Sequence, residues 1–176
     1  MKDNYFKIIK KQDFEPVYKL LELSFPPDER RHYCGQLELL NDEKYRIYAR
    51  LSDDRLAGFL SVWDFNKYAY IEHFAVAPEY RNIGLGSEIL GKLLNYLGKP
   101  VCLEVEKPEN EIARRRIGFY KRNGFFLNEY PYIQPAFSAD KKSLPLFIMT
   151  SGKPITREEF ENVKTTLYKQ VYKVKD

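Results

Sequence analysis

Cysteine is scarce: Cys34 and Cys102 are the two in 176 residues. They show no metal-ligand spacing, and Cys102 sits in an apolar run. A disulfide scaffold is therefore excluded, and both read as reduced thiols of a cytoplasmic protein. Long apolar stretches are also lacking. No run approaches the roughly 20 residues of a membrane span, and Met1-Lys2-Asp3-Asn4-Tyr5 has no signal-peptide core, so neither a membrane nor an export role is expected. The net charge of +4 is small. It suits an anionic ligand, but without a dense basic stripe it argues against nucleic acid as a partner. Repeats, low-complexity tracts and linkers are missing too, so the expectation is a single domain over residues 1–176, long enough to bury a real core. Aromatic residues are plentiful, with 14 tyrosines and 12 phenylalanines.

The chain is organised around Arg81-Asn82-Ile83-Gly84-Leu85-Gly86-Ser87. Before it, residues 68–76 are rich in aromatic and β-branched types and end at Ala77-Pro78, which predicts a buried strand closed by a turn. After it, Ile89, Leu90, Leu93, Leu94 and Leu97 fall at helical spacing, which predicts a helix over about 87–97. A glycine-containing turn between strand and helix presents backbone N–H groups at the positive end of a helix dipole, where phosphate oxygens bind. A dinucleotide fingerprint fails because Ile89 replaces the third glycine. A nucleoside-triphosphate loop over 86–92 fails at Leu93, where magnesium needs a hydroxyl. What remains is Arg-x-x-Gly-x-Gly directly after a strand ending Phe74-Ala75-Val76.

The rest of the chain alternates strands and helices. Residues 5–9 read as a strand, and Asp13 as the N-cap of a helix carrying Phe14, Val17, Leu20, Leu21 and Phe25, stopped by Pro26-Pro27. A charged loop at 27–31 leads to a short helix with Cys34, Leu37 and Leu40. Residues 45–51 and 56–63 read as a hairpin about 52–55. Val101-Cys102-Leu103-Glu104-Val105-Glu106 is a further strand, and the helix before it suggests a right-handed crossover to a locally parallel neighbour. Residues 110–122 form a helix with Ala113, Ile117 and Tyr120 on one face, ended by Asn123-Gly124. Gly118 inside it costs about 1 kcal/mol relative to alanine, which suggests a close neighbour or ligand. Two more strands over 126–149 enclose a loop at 131–138. Thr156-Arg157-Glu158-Glu159 is a capping box opening a helix with Phe160, Val163, Leu167 and Val171 in one stripe, over about 156–173. The fold class is mixed α/β.

Two patterns in order, Arg81-x-x-Gly84-x-Gly86 and Asn110-x-x-Ala113 followed by Phe119-Tyr120-x-x-x-Gly124-Phe125, resemble the signatures of the GCN5-related N-acetyltransferase superfamily. The resemblance covers about residues 5–149. It implies an acyl-CoA N-acyltransferase fold, a mixed central sheet flanked by helices, with the C-terminal helix an addition. It also implies an acyltransferase that moves an acetyl group from acetyl-CoA to a primary amine of a small molecule or peptide. Arg81, Asn82, Ile83, Gly84, Leu85, Gly86 and Ser87 would receive the pyrophosphate, and Phe74, Ala75 and Val76 the pantetheine arm. Asn110 and Tyr120 would complete the cofactor contacts. Asp28 and Glu29 flank the implied acceptor side, as do Tyr130, Tyr132 and Phe137 of the late loop. A monomer or a homodimer would serve.

The acceptor amine must lose a proton, so a base is expected. Two carboxylates qualify. Glu104 alternates with Leu103 and Val105 and so points away from their face, and Leu-Glu-Val matches the base-bearing strand of the ribosomal-protein and N-terminal acetyltransferase branch. Glu72 is expected on the face of Phe74 and Val76, with His73 opposite as a packed or surface residue. Tyr120 matches the acid that protonates the departing thiolate. A coenzyme A-binding module without turnover, and a protein N-terminal acetyltransferase, stay open as alternatives. No metal site is expected.

Overall fold

The computed structural model describes residues 5–174. The chain divides between Val101 and Cys102 into two compact units, and seven strands and five α-helices are shared between them.

The first unit holds β1 (Lys7–Ile8), α1 (Phe14–Ser24), α2 (Tyr33–Glu38), β2 (Tyr45–Ser52), β3 (Arg55–Asp64), β4 (Ala69–Val76) and α3 (Leu85–Leu97). Its strands pair in sequence order, each antiparallel to the next. The first strand is shorter than the 5–9 expected. The β2–β3 turn is two residues, Asp53 and Asp54, both at positive φ (48° and 60°). Two left-handed residues match the twist of a hairpin, and aspartate tolerates them. Asp13 stands at the N-cap of α1 without capping it; its carboxylate takes the Lys7 ammonium at 3.0 Å instead. The helix holds through its buried face, Phe14, Val17, Tyr18, Leu20 and Leu21.

Alternation along β2 buries Tyr45, Ile47 and Ala49 on one face, where Gln36 of α2 reaches the Tyr45 hydroxyl at 2.7 Å. On the other face Tyr48 meets Tyr96 of α3, ring centroids 5.6 Å apart. Gly58 belongs to that second face. A Cβ there would lie 2.9 Å from the Ala75 carbonyl oxygen and 3.0 Å from Ile89 Cδ1, so the absent side chain lets α3 lie against the sheet.

Between β3 and β4 the register slips: Ser61 pairs with His73 but Val62 with Ile71, leaving Glu72 as an extra residue. This is a β-bulge, and it resets the alternation. Glu72 thereby shares the side of Trp63 and Ser61, with His73 beside it, and opposes Phe74 and Val76, which pair with Leu60 and Gly58. The expected placement of Glu72 with Phe74 and Val76, and of His73 opposite Glu72, is corrected accordingly.

The second unit holds β5 (Val101–Glu106) from its second residue on, α4 (Glu111–Arg122), β6 (Phe125–Gln134), β7 (Leu144–Ser151) and α5 (Arg157–Thr166). β7 is antiparallel to both β5 and β6. β6 runs through Gln134, so Pro131, Tyr132, Ile133 and Gln134 are strand rather than the loop expected. The pairing Asn128–Ile148 is followed by Tyr132–Leu146, so residues 129–131 bulge opposite Phe147. Pro131, which has no N–H to donate, falls in that bulge, where a ladder bond is not required. Asn128 fixes the far side: its amide donates to Ile148 O and Thr150 Oγ1 at 3.2 and 3.0 Å, and its oxygen accepts from Ile155 N at 2.9 Å. The capping box is formed at Thr156 and Glu159, and Phe160, Val163, Leu167 and Val171 are buried as the stripe requires. Gly118 meets no backbone; a Cβ there would come 3.3 Å from the mobile end of Arg122, so no close neighbour explains it.

Candidate active site

The turn after β4 is built by the main chain. Ala77 N donates to Ala57 O at 2.9 Å, which makes 57 and 77 a hydrogen-bonded pair. The adjacent pair, Gly58 and Val76, is therefore a non-bonded one whose N–H and C=O groups point away from each other. Arg81 Nε donates to the Val76 carbonyl at 2.8 Å and ties the turn to the strand end. Asn82 and Gly84 lie at φ 62° and 84°, and Gly84 is the N-cap of α3. No side chain caps this helix. Its first internal bond runs from Glu88 N to Gly84 O at 3.1 Å, so the amides of Leu85 and Gly86 have no acceptor within the helix and sit at its positive end. The two glycines do different work. Gly84 supplies a left-handed backbone, whereas Gly86 is helical.

Glu72 is buried with its side chain 1% exposed. Arg31 Nη1 donates to its Oε1 at 2.7 Å and Trp63 Nε1 to the same oxygen at 3.3 Å, while Gln36 Nε2 lies 3.5 Å from Oε2. Burial pushes this carboxyl up, but the Arg31 guanidinium and the hydrogen bonds outweigh it and hold the group below the usual range. Burial lowers His73 and so favours the neutral ring, despite Glu72 beside it. His73 Nε2 faces the Glu29 carbonyl at 2.8 Å; a carbonyl only accepts, so the proton is on Nε2. Nδ1 then accepts from the Ser61 hydroxyl at 3.3 Å. Asp28 and Glu29 lie half-buried in a single turn, Pro27–Glu29, and His73 holds that turn through its main chain.

Glu104 has a different setting. The Tyr132 hydroxyl donates to Oε1, and the Tyr172 hydroxyl lies 2.7 Å from Oε2 and 3.0 Å from Oε1. Burial and the Glu104 charge push the Tyr132 phenol well above its usual value, so it stays protonated and keeps donating. The same two causes raise the Cys102 thiol, which is thereby unreactive. Tyr120 is buried between Phe119 and Phe125, with ring centroids at 5.3 and 5.6 Å. Burial pushes its phenol up to about 12, with Arg116 opposing. Asn110 serves α4 as N-cap, its Oδ1 accepting from Ala113 N at 2.8 Å. Tyr130 donates to Ile155 O at 3.2 Å and stacks near Phe160 at 5.0 Å, while Phe137 packs on Tyr172 at 5.3 Å.

Arg31, Gln36, Trp63 and Tyr172 join these clusters without having been singled out in the sequence. Arg31 stood in a charged loop with the look of a solvated one. Tyr168 and Tyr172, four apart on the last helix, were the visible trace of a second aromatic face. Among the described residues no group of His, Cys, Asp and Glu could hold a metal ion, and no helix is long and apolar enough to cross a membrane.

Comparison with known proteins places this geometry. The family model "Acetyltransferase (GNAT) family" matches residues 14–125. A solved structure described as "Putative acetyltransferase from GNAT family from Bacteroides thetaiotaomicron" is 36% identical, with a TM-score of 0.89 over 97% of this chain and 99% of that one. "Putative acetyltransferase YjbC" of Bacillus subtilis (strain 168) is 24% identical over 162 residues, 90% of this chain and 82% of the relative. The ribosomal-protein-S18-alanine N-acetyltransferase from Escherichia coli, 20% identical with a TM-score of 0.62 over 87% of this chain and 97% of that one, shares the fold. The mixed α/β fold is that of these acyltransferases, whose family uses acetyl-CoA as cosubstrate. With a family model matched over more than half its length and a relative similar along nearly all of it, this chain belongs to the GNAT family of acetyltransferases.

Proposed function

We propose that this protein, acting as a single functional domain, transfers an acetyl group from acetyl-CoA to a primary amine of a small molecule or peptide, by direct attack while both are bound. The observation that carries the reading is the uncapped N-terminus of α3 behind the left-handed Gly84, directly after β4. Its residues fit a pyrophosphate: a Cβ at Gly84 would have no atom within 4 Å, and the Leu85 and Gly86 amides offer donors without a competing side chain.

Acetyl-CoA supplies an acyl carbon activated as a thioester. The N–H of Val76, directed away from β3, is assigned to polarise the carbonyl oxygen as negative charge develops on it. Glu104 takes the proton that the amine must lose, directly or through one water. As the C–N bond forms and the C–S bond breaks, Tyr120 gives its phenolic proton to the sulfur. Burial raises its pKa to about 12, so the proton is in place at neutral pH but is held more tightly than in an exposed phenol. Glu72, held by Arg31, supports the acceptor side with Asp28 and Glu29, and Tyr130, Tyr132 and Phe137 line it.

The test is Gly86→Val. A valine side chain in the first turn of α3 should block the pyrophosphate while the helical backbone stays unstrained. Calorimetric titration with acetyl-CoA should show binding weakened at least about tenfold, with the melting temperature little changed. Unchanged affinity in the folded variant overturns the assignment of the turn. Free-thiol release by the wild type against a library of amines and peptides checks turnover, and tight binding without turnover on any of them makes the protein a binding module.

A further inference from the structure

Beyond residues 14–125, which the family model matches, the chain ends in a group that reaches Glu104. α5 stops at Thr166, and Leu167–Val171 continues it as a π-helical turn, with Tyr172 N bonded to Leu167 O at 3.1 Å. Such turns are rare and recur at functional sites. Here the turn is pinned by buried Leu167 and Val171 and by the Tyr168 hydroxyl on Ile133 O at 2.5 Å. Its product is the position of one phenol. Tyr172 shares its single proton between the two oxygens of Glu104, at 2.7 and 3.0 Å, while its ring lies against Phe137.

We propose that Tyr172 is a positioning residue for Glu104: with Tyr132 it fixes the plane of the carboxylate and so its direction toward the acceptor amine or its water. The proposal rests on the reading of Glu104 as the base. The titratable groups that face Glu104 include Tyr132 from β6, Tyr168 and Tyr172 from the C-terminal turn, and Cys102 from its own strand; opposite it on β7 stands uncharged Ile148. The phenols that touch it are donors to the charged form, and donors to the charged form lower a carboxyl's pKa. The contribution of Glu104 in this account is largely orientation.

The experiment compares wild type, Tyr172→Phe and Glu104→Gln, the last also identifying the Glu104 carbon in a ¹³C NMR titration of the glutamate carboxyls. Tyr172→Phe keeps the ring against Phe137 and loses the proton. Its Glu104 midpoint should rise by about one pH unit. The acidic limb of kcat/KM, measured with acetyl-CoA and the library amine that the wild type turns over fastest, should move up with it. An unmoved midpoint and limb in the folded variant, or turnover lowered equally at every pH, overturns the proposal. Full turnover in Glu104→Gln overturns instead the reading beneath it, so the two failures are distinct.

Discussion

Two glutamates on two strands of this protein meet opposite kinds of partner. Glu72, on a bulge of β4, is met by a guanidinium at 2.7 Å and is almost wholly enclosed. Glu104, on regular β5, is met by two phenols. A charged donor neutralises the carboxylate and offsets its burial, which makes the pair a fixed part of the fold. Neutral donors such as the two phenols on Glu104 stabilise an anion without cancelling its charge. The difference teaches that identical side chains in strands are sorted by the chemistry of their partners.

The most direct way to break this contrast is to remove the charged partner. Arg31→Met leaves the Glu72 carboxylate buried and unpaired, which should cost about 3–5 kcal/mol, against about 1 kcal/mol for Tyr172→Phe. Adding Glu72→Met to Arg31→Met should recover most of the loss, since an apolar pair of similar volume replaces the ionic one. Thermal melts of the four proteins measure it. If Arg31→Met melts no lower than Tyr172→Phe, the distinction collapses.

Acid should reveal the same asymmetry. Glu72 has a folded-state pKa below the ordinary 4.5, so the stability it contributes is complete above that value and is lost as pH falls through its folded pKa. His73 has a folded-state pKa below the ordinary 6.5, so the unfolded chain takes up a proton first and stability declines as pH falls below about 6.5. Two steps of acid destabilisation are expected in the first unit, one beginning below about 6.5 and one below about 4.5. Urea midpoints measured from pH 8 to pH 3 should show both, and Glu72→Gln should shrink the lower step, to which Asp64 also contributes, while the upper one persists. A profile flat from 7 to 5 rules out the buried neutral histidine.

Much of the fold was legible in the sequence because its signals are local and covalent in origin. Helical spacing, the Thr156 capping box and the strand–glycine–helix order at 81–87 each follow from backbone chemistry within a few residues. The misreadings arose where register decided. One extra residue in β4 turned Glu72 away from Phe74 and put His73 beside it, and no alternation pattern reports a bulge. Pro131 marked a loop in the sequence, yet β6 absorbs it in a second bulge. Arg31 meets Glu72 from 41 positions away and Tyr172 meets Glu104 from 68, so neither contact leaves a trace in local spacing. Tyr120, by contrast, was placed by a contiguous pattern, and its catalytic duty rests on the chemistry proposed for it.

The smallest effect sharpens the comparison furthest. Gln36 is a neutral donor to Glu72, as Tyr172 is to Glu104, but it acts beside a guanidinium. Its Nε2 lies 3.5 Å from Glu72 Oε2 and 2.7 Å from the Tyr45 hydroxyl, and its own buried Oε1 has no hydrogen-bond partner. Gln36→Met fills the same space, removes both long and short donations, and also removes the unpaired carbonyl, so gain and loss nearly cancel. The expected cost is about 1 kcal/mol or less, a fall of roughly 2–4 °C in Tm. The acid step assigned to Glu72 should hardly move, because Arg31 is the stronger influence on that carboxyl. Tyr172→Phe, deleting one neutral donor as well, should move the Glu104 midpoint by about one unit. If Gln36→Met shifts the Glu72 step as far as Tyr172→Phe shifts Glu104, then Arg31 does not dominate its partner, and the two carboxylates are held by the same kind of force.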